Sequence, residues 1–151
     1  MPAPVTPLVG CDVFVPDVSR TRALLIRRSD NGFWALPGGF HDLTETPMQC
    51  VVRECLEETG LQIRIERLLG VFSSNCYPEV NYPHKGGKYC HILFLAEPVA
   101  MENSAARTTS EAREIGWFTE SQSPAMSDGH DVRVALGFRC LRDPTTPAYF
   151  E

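Results

Sequence analysis

The chain is predicted to fold as one α/β (α+β) domain, a mixed β-sheet sandwiched between helices, and three observations carry that expectation. Strand-length apolar runs stand both before and after one central helix, and a second helix comes late in the order. At 151 residues the chain fits a single domain, residues 1–151, and is long enough to bury a proper core. Apolar residues at 43% and charged residues at 22% are ordinary globular values, and no repeat or low-complexity run breaks the order.

Each element follows from local chemistry. Pro2, Pro4 and Pro7 make residues 1–7 an extended arm. Leu8 to Val15 reads as a strand that ends at Pro16-Asp17, and Arg22 to Arg28 as a second, closed by a turn at Ser29-Asp30-Asn31-Gly32. Phe33 to Leu36 leads into Pro37-Gly38-Gly39, expected to turn sharply and to bring backbone close to a ligand. Thr44 or Thr46 with Pro47 signals a helix start, and Gly60 its end. Met48, Val51, Val52, Cys55 and Thr59 form the apolar face of that helix. Gln62 to Ser73 alternates as a strand, Ser74 to Lys88 is a loop, and Tyr89 to Glu97 is another strand. A short strand at Glu114 to Phe118, a loop from Thr119 to Gly129 and a helix from Asp131 to Leu141 follow. Residues 143–151 are expected to trail along the surface.

Charge and composition narrow the function. A net charge of −5 offers no basic stripe for a nucleic acid, although a bound cation would still admit a small phosphorylated ligand. Runs such as Ile92 to Ala96 are too short to cross a bilayer, and no basic segment followed by an apolar run marks a secretory signal, so a cytoplasmic protein without a membrane partner is expected. Six cysteines show no CxxC pair and no ligand cluster; reduced structural thiols are the expectation, with Cys76, in a loop, the one open to reaction.

The most informative stretch runs from Gly39 to Leu61, GFHDLTETPMQCVVRECLEETGL. At about 100° per residue Glu54, Glu57 and Glu58 share one helix face. Like charges at such spacings repel by roughly 0.2–0.5 kcal/mol per pair. Divalent cations among the oxygens remove that penalty, and Mg²⁺ keeps positions open for substrate phosphates. The plainer alternative is a solvated acidic face with Glu57 paired to Arg53 at i, i+4.

The same stretch has the pattern G-x5-E-x7-R-E-U-x-E-E-x-G-U, with U a bulky aliphatic residue, and so resembles the signature of the Nudix hydrolases. Eight of the nine defined positions fit, and Cys55 stands at the first U, where a small buried residue alters packing rather than chemistry. The resemblance implies a catalytic set of Arg53, Glu54, Glu57 and Glu58. It implies Mg²⁺, with Mn²⁺ able to substitute, held by Glu54, Glu57, Glu58 and the Gly38 carbonyl, with Gly39 and Glu45 in support. Glu54 is either a ligand or the group that orients or deprotonates water. Arg53 positions the carboxylates through its rigid fork of donors. By likeness to the family's later strand, Glu111 is preferred as an extra ligand over Glu114, and Glu120 is a weaker candidate base.

The implied reaction is hydrolysis of a pyrophosphate linkage by metal-activated water, the substrate a small nucleoside diphosphate derivative such as a nucleotide, a nucleotide sugar or ADP-ribose. Arg28, Phe40, His41 and Tyr77 are the preferred substrate contacts. Phe33, Tyr82, Arg27, His84, Lys85, His130 and Arg133 are further candidates, while Phe33 and Phe40 read equally well as core. Tyr77 and Pro78 both fall where the family's subclasses differ and point to different substrates. Trp34 reads as packing under the turn. A homodimer is compatible with the resemblance, although no amphipathic or coiled-coil segment demands one. The rival reading is a catalytically silent Nudix domain that binds or senses a nucleotide; such modules usually lose one of the acids, and all are present here. An isoprenoid-diphosphate isomerase of the same superfold would need further catalytic residues that this chain does not display.

Overall fold

The computed structural model describes residues 1, 7–73, 89–99, 112–127 and 129–150. Cys76, Tyr77, Pro78, Tyr82, His84, Lys85 and Glu111 lie outside the described residues. The elements are β1 (Leu8–Phe14), β2 (Arg22–Arg28), β3 (Trp34–Ala35), β4 (Gly38–Phe40), α1 (Pro47–Thr59), β5 (Ile63–Ser73), β6 (Tyr89–Pro98), β7 (Ala112–Thr119), a 3-10 turn at Glu120–Gln122, and α2 (His130–Arg142). The mixed α+β class expected from the sequence is the one found. Its strands divide between two sheets, ordered β4-β1-β6-β5 and β3-β2-β7. The β1–β6 pair is parallel and the remaining pairs are antiparallel.

Alternation along β1 decides what each face meets. Cys11, Val13 and Val15 point one way and pack with Cys50, Val51 and Cys55 of α1. Phe14 points the other way and meets Phe138 of α2 edge-on at 5.1 Å. A β-carbon on Gly137 would lie 2.2 Å from the Phe14 ring, so the glycine sets how closely α2 approaches. In β6, Phe94 and Ala96 join the α1 side while Leu93 and Leu95 join the α2 side. The larger sheet is thus covered by a helix on each face.

The helix that carries the acids has strong ends. Thr46 is its N-cap: its hydroxyl accepts the Gln49 N–H at 3.2 Å while the Gln49 side chain accepts the Thr46 N–H at 2.8 Å. Pro47 opens the first turn, and Gly60 closes the helix at φ 72°. Met48, expected on the apolar face, is half exposed in the first turn; Cys50 takes its place beside Val51, Cys55 and Thr59. Burial pushes the Cys55 thiol up to about 12, the neighbouring Cys11 and then burial raise Cys50, and burial raises Cys90 and Cys140.

Two further segments differ from the sequence reading. Gly38 to Phe40 continue past the Pro37 turn as strand β4, paired with β1 through Gly10–Phe40, Cys11–Gly39 and Asp12–Gly38. The C-terminal residues do not simply trail along the surface: Tyr149 exchanges backbone hydrogen bonds with β5, its N–H donating to Leu69 O at 2.9 Å and its carbonyl accepting Val71 N–H at 2.8 Å. The Tyr149 ring stacks on Phe72 at 4.9 Å, and Arg67 donates to the carbonyls of Pro144 and Thr146. Among the described residues no helix is long and apolar enough to cross a membrane.

Candidate active site

The β4 strand opens with a pair of glycines wedged between β1 and α1. A β-carbon on Gly38 would lie 2.2 Å from the Cys11 carbonyl and 2.7 Å from Asp12 Oδ1. One on Gly39 would lie 2.4 Å from Glu54 Oε1. Side chains at either position would drive the strand away from the helix, so the glycines bring backbone up to the carboxylates. Glu58, only 5% exposed, accepts the Gly38 N–H at 2.9 Å. Both glycines, Glu54 and Glu58 line a cavity of about 350 Å³, and Ile26, Arg28, Asp30, Leu36 and Phe40 line it with them.

Arg53 organises the acids from the side. Its Nε and Nη2 donate to the two oxygens of Glu45 at 2.9 and 2.6 Å, while Nη1 reaches Glu54 at 2.8 Å and Glu57 at 3.2 Å. The hydrogen-bonded guanidinium holds the Glu45 carboxyl down at about 2, and Glu45, then Glu54, raise the Arg53 pKa in return. A fork of this kind suits arginine and not lysine. Among the described residues no group of three or more His, Cys, Asp or Glu side chains stands at metal-holding distance. The acids are instead turned to protein donors, Glu54 and Glu57 to Arg53 and Glu58 to the Gly38 amide.

Opposite these acids, four ionisable side chains are buried together: Asp12 of β1, His91 of β6, and His130 and Arg133 of α2. Arg133 Nε stands 3.1 Å and His91 Nδ1 3.4 Å from Asp12 Oδ2. Burial alone would raise the Asp12 carboxyl, but the Arg133 charge and the histidines overcome it and hold it well below the usual range. His130 is driven the other way, well below its ordinary value, by burial and then by Arg133. It accepts the Leu36 N–H through Nδ1 at 3.1 Å. Asp12, His91 and His130 all line the cavity.

Of the other residues singled out from sequence, Arg28 lines the cavity and docks on Asp30 at 2.9 and 2.6 Å. Phe40 lines it too and stacks on Tyr89 at 6.3 Å. Phe40 and Phe33 are 44% and 42% exposed, which removes the reading that both are core. His41 instead holds the Glu45 carbonyl, with Nε2 at 2.5 Å. Arg27 and Glu114 pair with each other at 3.4 Å, and Glu120 pairs with Arg142; none of the three lines the cavity. Trp34 packs edge-on against Phe118 at 4.8 Å. Asp12 and His91 had no place in the sequence reading. Their signal was present: a lone acid in Cys11-Asp12-Val13-Phe14-Val15 and a lone histidine in Cys90-His91-Ile92-Leu93, each inside an apolar strand.

Known proteins resemble this chain in sequence and in fold. A relative from Streptomyces ambofaciens named MutT-like protein is 34% identical over 114 residues, covering 75% of this chain and 66% of its own length. An ADP-ribose pyrophosphatase from Methanocaldococcus jannaschii is 35% identical over 113 residues, covering 73% of this chain and 62% of its own. The chain thus spans slightly under two thirds of the length of these relatives. The crystal structure of a UDP-X diphosphatase superposes with a TM-score of 0.82 at 23% identity over 99% of this chain and 69% of that one, a likeness of fold. The family model described as NUDIX domain matches residues 7–135, and the chain belongs to the Nudix family.

Proposed function

We propose that the chain is a Nudix pyrophosphohydrolase that uses a divalent cation, Mg²⁺ with Mn²⁺ able to substitute, to cleave the diphosphate linkage of a small nucleoside diphosphate derivative of the nucleotide-sugar or ADP-ribose type. One observation carries the reading: Glu54 and Glu58 flank a glycine strand at the wall of a cavity, with Arg53 restraining Glu54 and Glu57 behind them. The similarity to a protein named ADP-ribose pyrophosphatase supports the substrate class. The five described cysteines are free thiols, which suits the cytoplasmic setting proposed here.

The donor chemistry fits a hard cation. The Glu54 and Glu58 carboxylates stand at this wall, no cysteine or methionine is among the residues lining the cavity, and the glycines leave room beside the acids. Glu54, Glu57, Glu58 and the Gly38 carbonyl would hold the ion, and Glu111 is proposed as a further ligand. When bound, such an ion acidifies water and neutralises charge on the diphosphate oxygens. The chain's own residues supply position. Arg53 fixes Glu54 and Glu57, Glu58 anchors Gly38, and Arg28, set by Asp30, presents a guanidinium to phosphate oxygens at the cavity. Where Glu54 serves as the base rather than as a ligand, it accepts the proton of the attacking water as the water oxygen bonds to phosphorus and the bond to the bridging oxygen breaks, the leaving phosphate keeping that electron pair. Phe40 at the cavity offers a face for stacking.

The test is hydrolysis of nucleoside triphosphates, ADP-ribose, nucleotide sugars and dinucleoside polyphosphates with Mg²⁺, products resolved by chromatography, with Glu57→Gln alongside. Cleavage of one class by wild type alone supports the reading. Silence across the panel while a nucleotide still binds would instead make the domain a nucleotide sensor.

A further inference from the structure

A buried ion pair is weak evidence for stability, because apolar residues of similar volume are often as good or better. The group Asp12, His91, His130 and Arg133 therefore calls for a role. Besides lining the cavity directly, the group meets the candidate site through the backbone between Trp34 and Gly38. Trp34 N–H donates to Ala125 O at 3.0 Å, and Ser127 N–H donates to Trp34 O at 2.7 Å. Leu36 N–H donates to His130 Nδ1 at 3.1 Å. The chain then crosses to the other side: Val13 N–H donates to Pro37 O at 2.9 Å, and Gly38 N–H to Glu58 at 2.9 Å. His130 is thus the last hold from the α2 side before the backbone reaches Glu58.

We propose that His130 is a positioning residue which, by accepting the Leu36 N–H, sets the Gly38 backbone against Glu58, with Asp12, His91 and Arg133 packed around it to keep its ring in place. The inference rests on the metal-site reading of Gly38 and Glu58 given above. A ring that stays neutral keeps Nδ1 as an acceptor, and burial together with the Arg133 charge keeps it so. The Leu36 amide is buried, so losing the acceptor leaves a donor unsatisfied and frees the segment to shift. A shift there moves Gly38 relative to Glu58 without touching any proposed ligand.

Two substitutions separate this from mere space-filling. In His130→Asn the amide oxygen falls near the place of Nδ1; in His130→Gln it falls further out, near that of Nε2. The readouts are Mn²⁺ binding to the full chain without substrate, followed by electron paramagnetic resonance of the free ion, and the split between kcat and KM. His130→Gln should weaken Mn²⁺ binding and lower kcat by roughly ten- to a hundred-fold, the usual range for outer-shell supports, with KM little changed. His130→Asn should restore both. Equal behaviour of the two variants, whether both intact or both impaired, overturns the proposal. Should His130→Gln not fold, exchange of the Leu36 amide in the wild-type chain decides: Mg²⁺ should slow it, and indifference overturns the proposal. A wild type that binds no Mn²⁺ and cleaves no diphosphate sinks the site reading and this inference with it. A wild type that binds, with both variants alike, sinks the role of His130 alone.

Discussion

Gly38 and Gly39 are adjacent, and alanine at each should do opposite things. At Gly39 the new methyl meets the end of a side chain, Glu54 Oε1 at 2.4 Å and Cδ at 2.5 Å. The three nearest atoms all belong to that carboxylate, which can yield by retreating about 1 Å to ordinary contact at 3.4 Å or beyond. That retreat also drags on its 2.8 Å bond to Arg53. Misplacement of this size can cost on the order of 100-fold in rate. Gly39→Ala should therefore keep its thermal midpoint and lose most of its kcat. At Gly38 the methyl meets the Cys11 carbonyl at 2.2 Å and Asp12 Cα at 2.8 Å, both part of the central strand. Backbone cannot step aside, so Gly38→Ala should destabilise by roughly 1–3 kcal/mol or more, the scale of overpacking. Thermal and urea unfolding of both variants, with kcat at saturating Mg²⁺ and substrate, make the comparison. A Gly39→Ala enzyme with wild-type kcat, or one as destabilised as Gly38→Ala, would refute the reasoning.

Other outcomes follow from the same contacts. Glu57→Gln should lower turnover by orders of magnitude with the fold intact, because its side chain is 47% exposed; equal activity of mutant and wild type would end its assignment as a ligand. Glu58→Gln should lower activity too, and its buried bond to Gly38 predicts a reduced thermal midpoint that Glu57→Gln does not share. The Glu45 carboxyl is depressed from 4.5 to about 2, so its contribution is present above pH 4.5 and lost as pH falls towards 2. Acid unfolding of Glu45→Gln should be less steep across that window, and an unchanged acid limb would refute the pairing. Chelation with EDTA should abolish hydrolysis and Mg²⁺ restore it; hydrolysis that persists in the chelator would exclude the proposed cation.

The sequence disclosed the helix and its signature because their signals are local. Thr46, Pro47 and Gly60 act on backbone within a few residues, and Arg53 reaches Glu57 one turn away. The division of the strands into two sheets was not legible, since pairing between β2 and β7 joins segments about ninety residues apart and no local pattern encodes it. Nor was β4, where two glycines read as a turn until the Cys11 carbonyl and Glu54 show why nothing larger fits. Asp12 was hidden by its company: apolar neighbours made the strand obvious and the acid incidental, and its partner Arg133 lies on an element at the other end of the chain. The exposure of Met48 came from where the first turn of α1 lies rather than from helical periodicity.

Tyr149 has a consequence beyond its stack on Phe72. In the larger sheet β5 is the outermost strand, and an outermost strand presents unpaired amides and carbonyls that invite a foreign chain. Here the amide of Val71 and the carbonyl of Leu69 are already engaged by the backbone of Tyr149. Tyr149 thus occupies part of that edge. A chain cut after Asp143 would keep its candidate site but bare a sticky strand edge and an aromatic ring, and its failure would be loss of solubility before loss of chemistry.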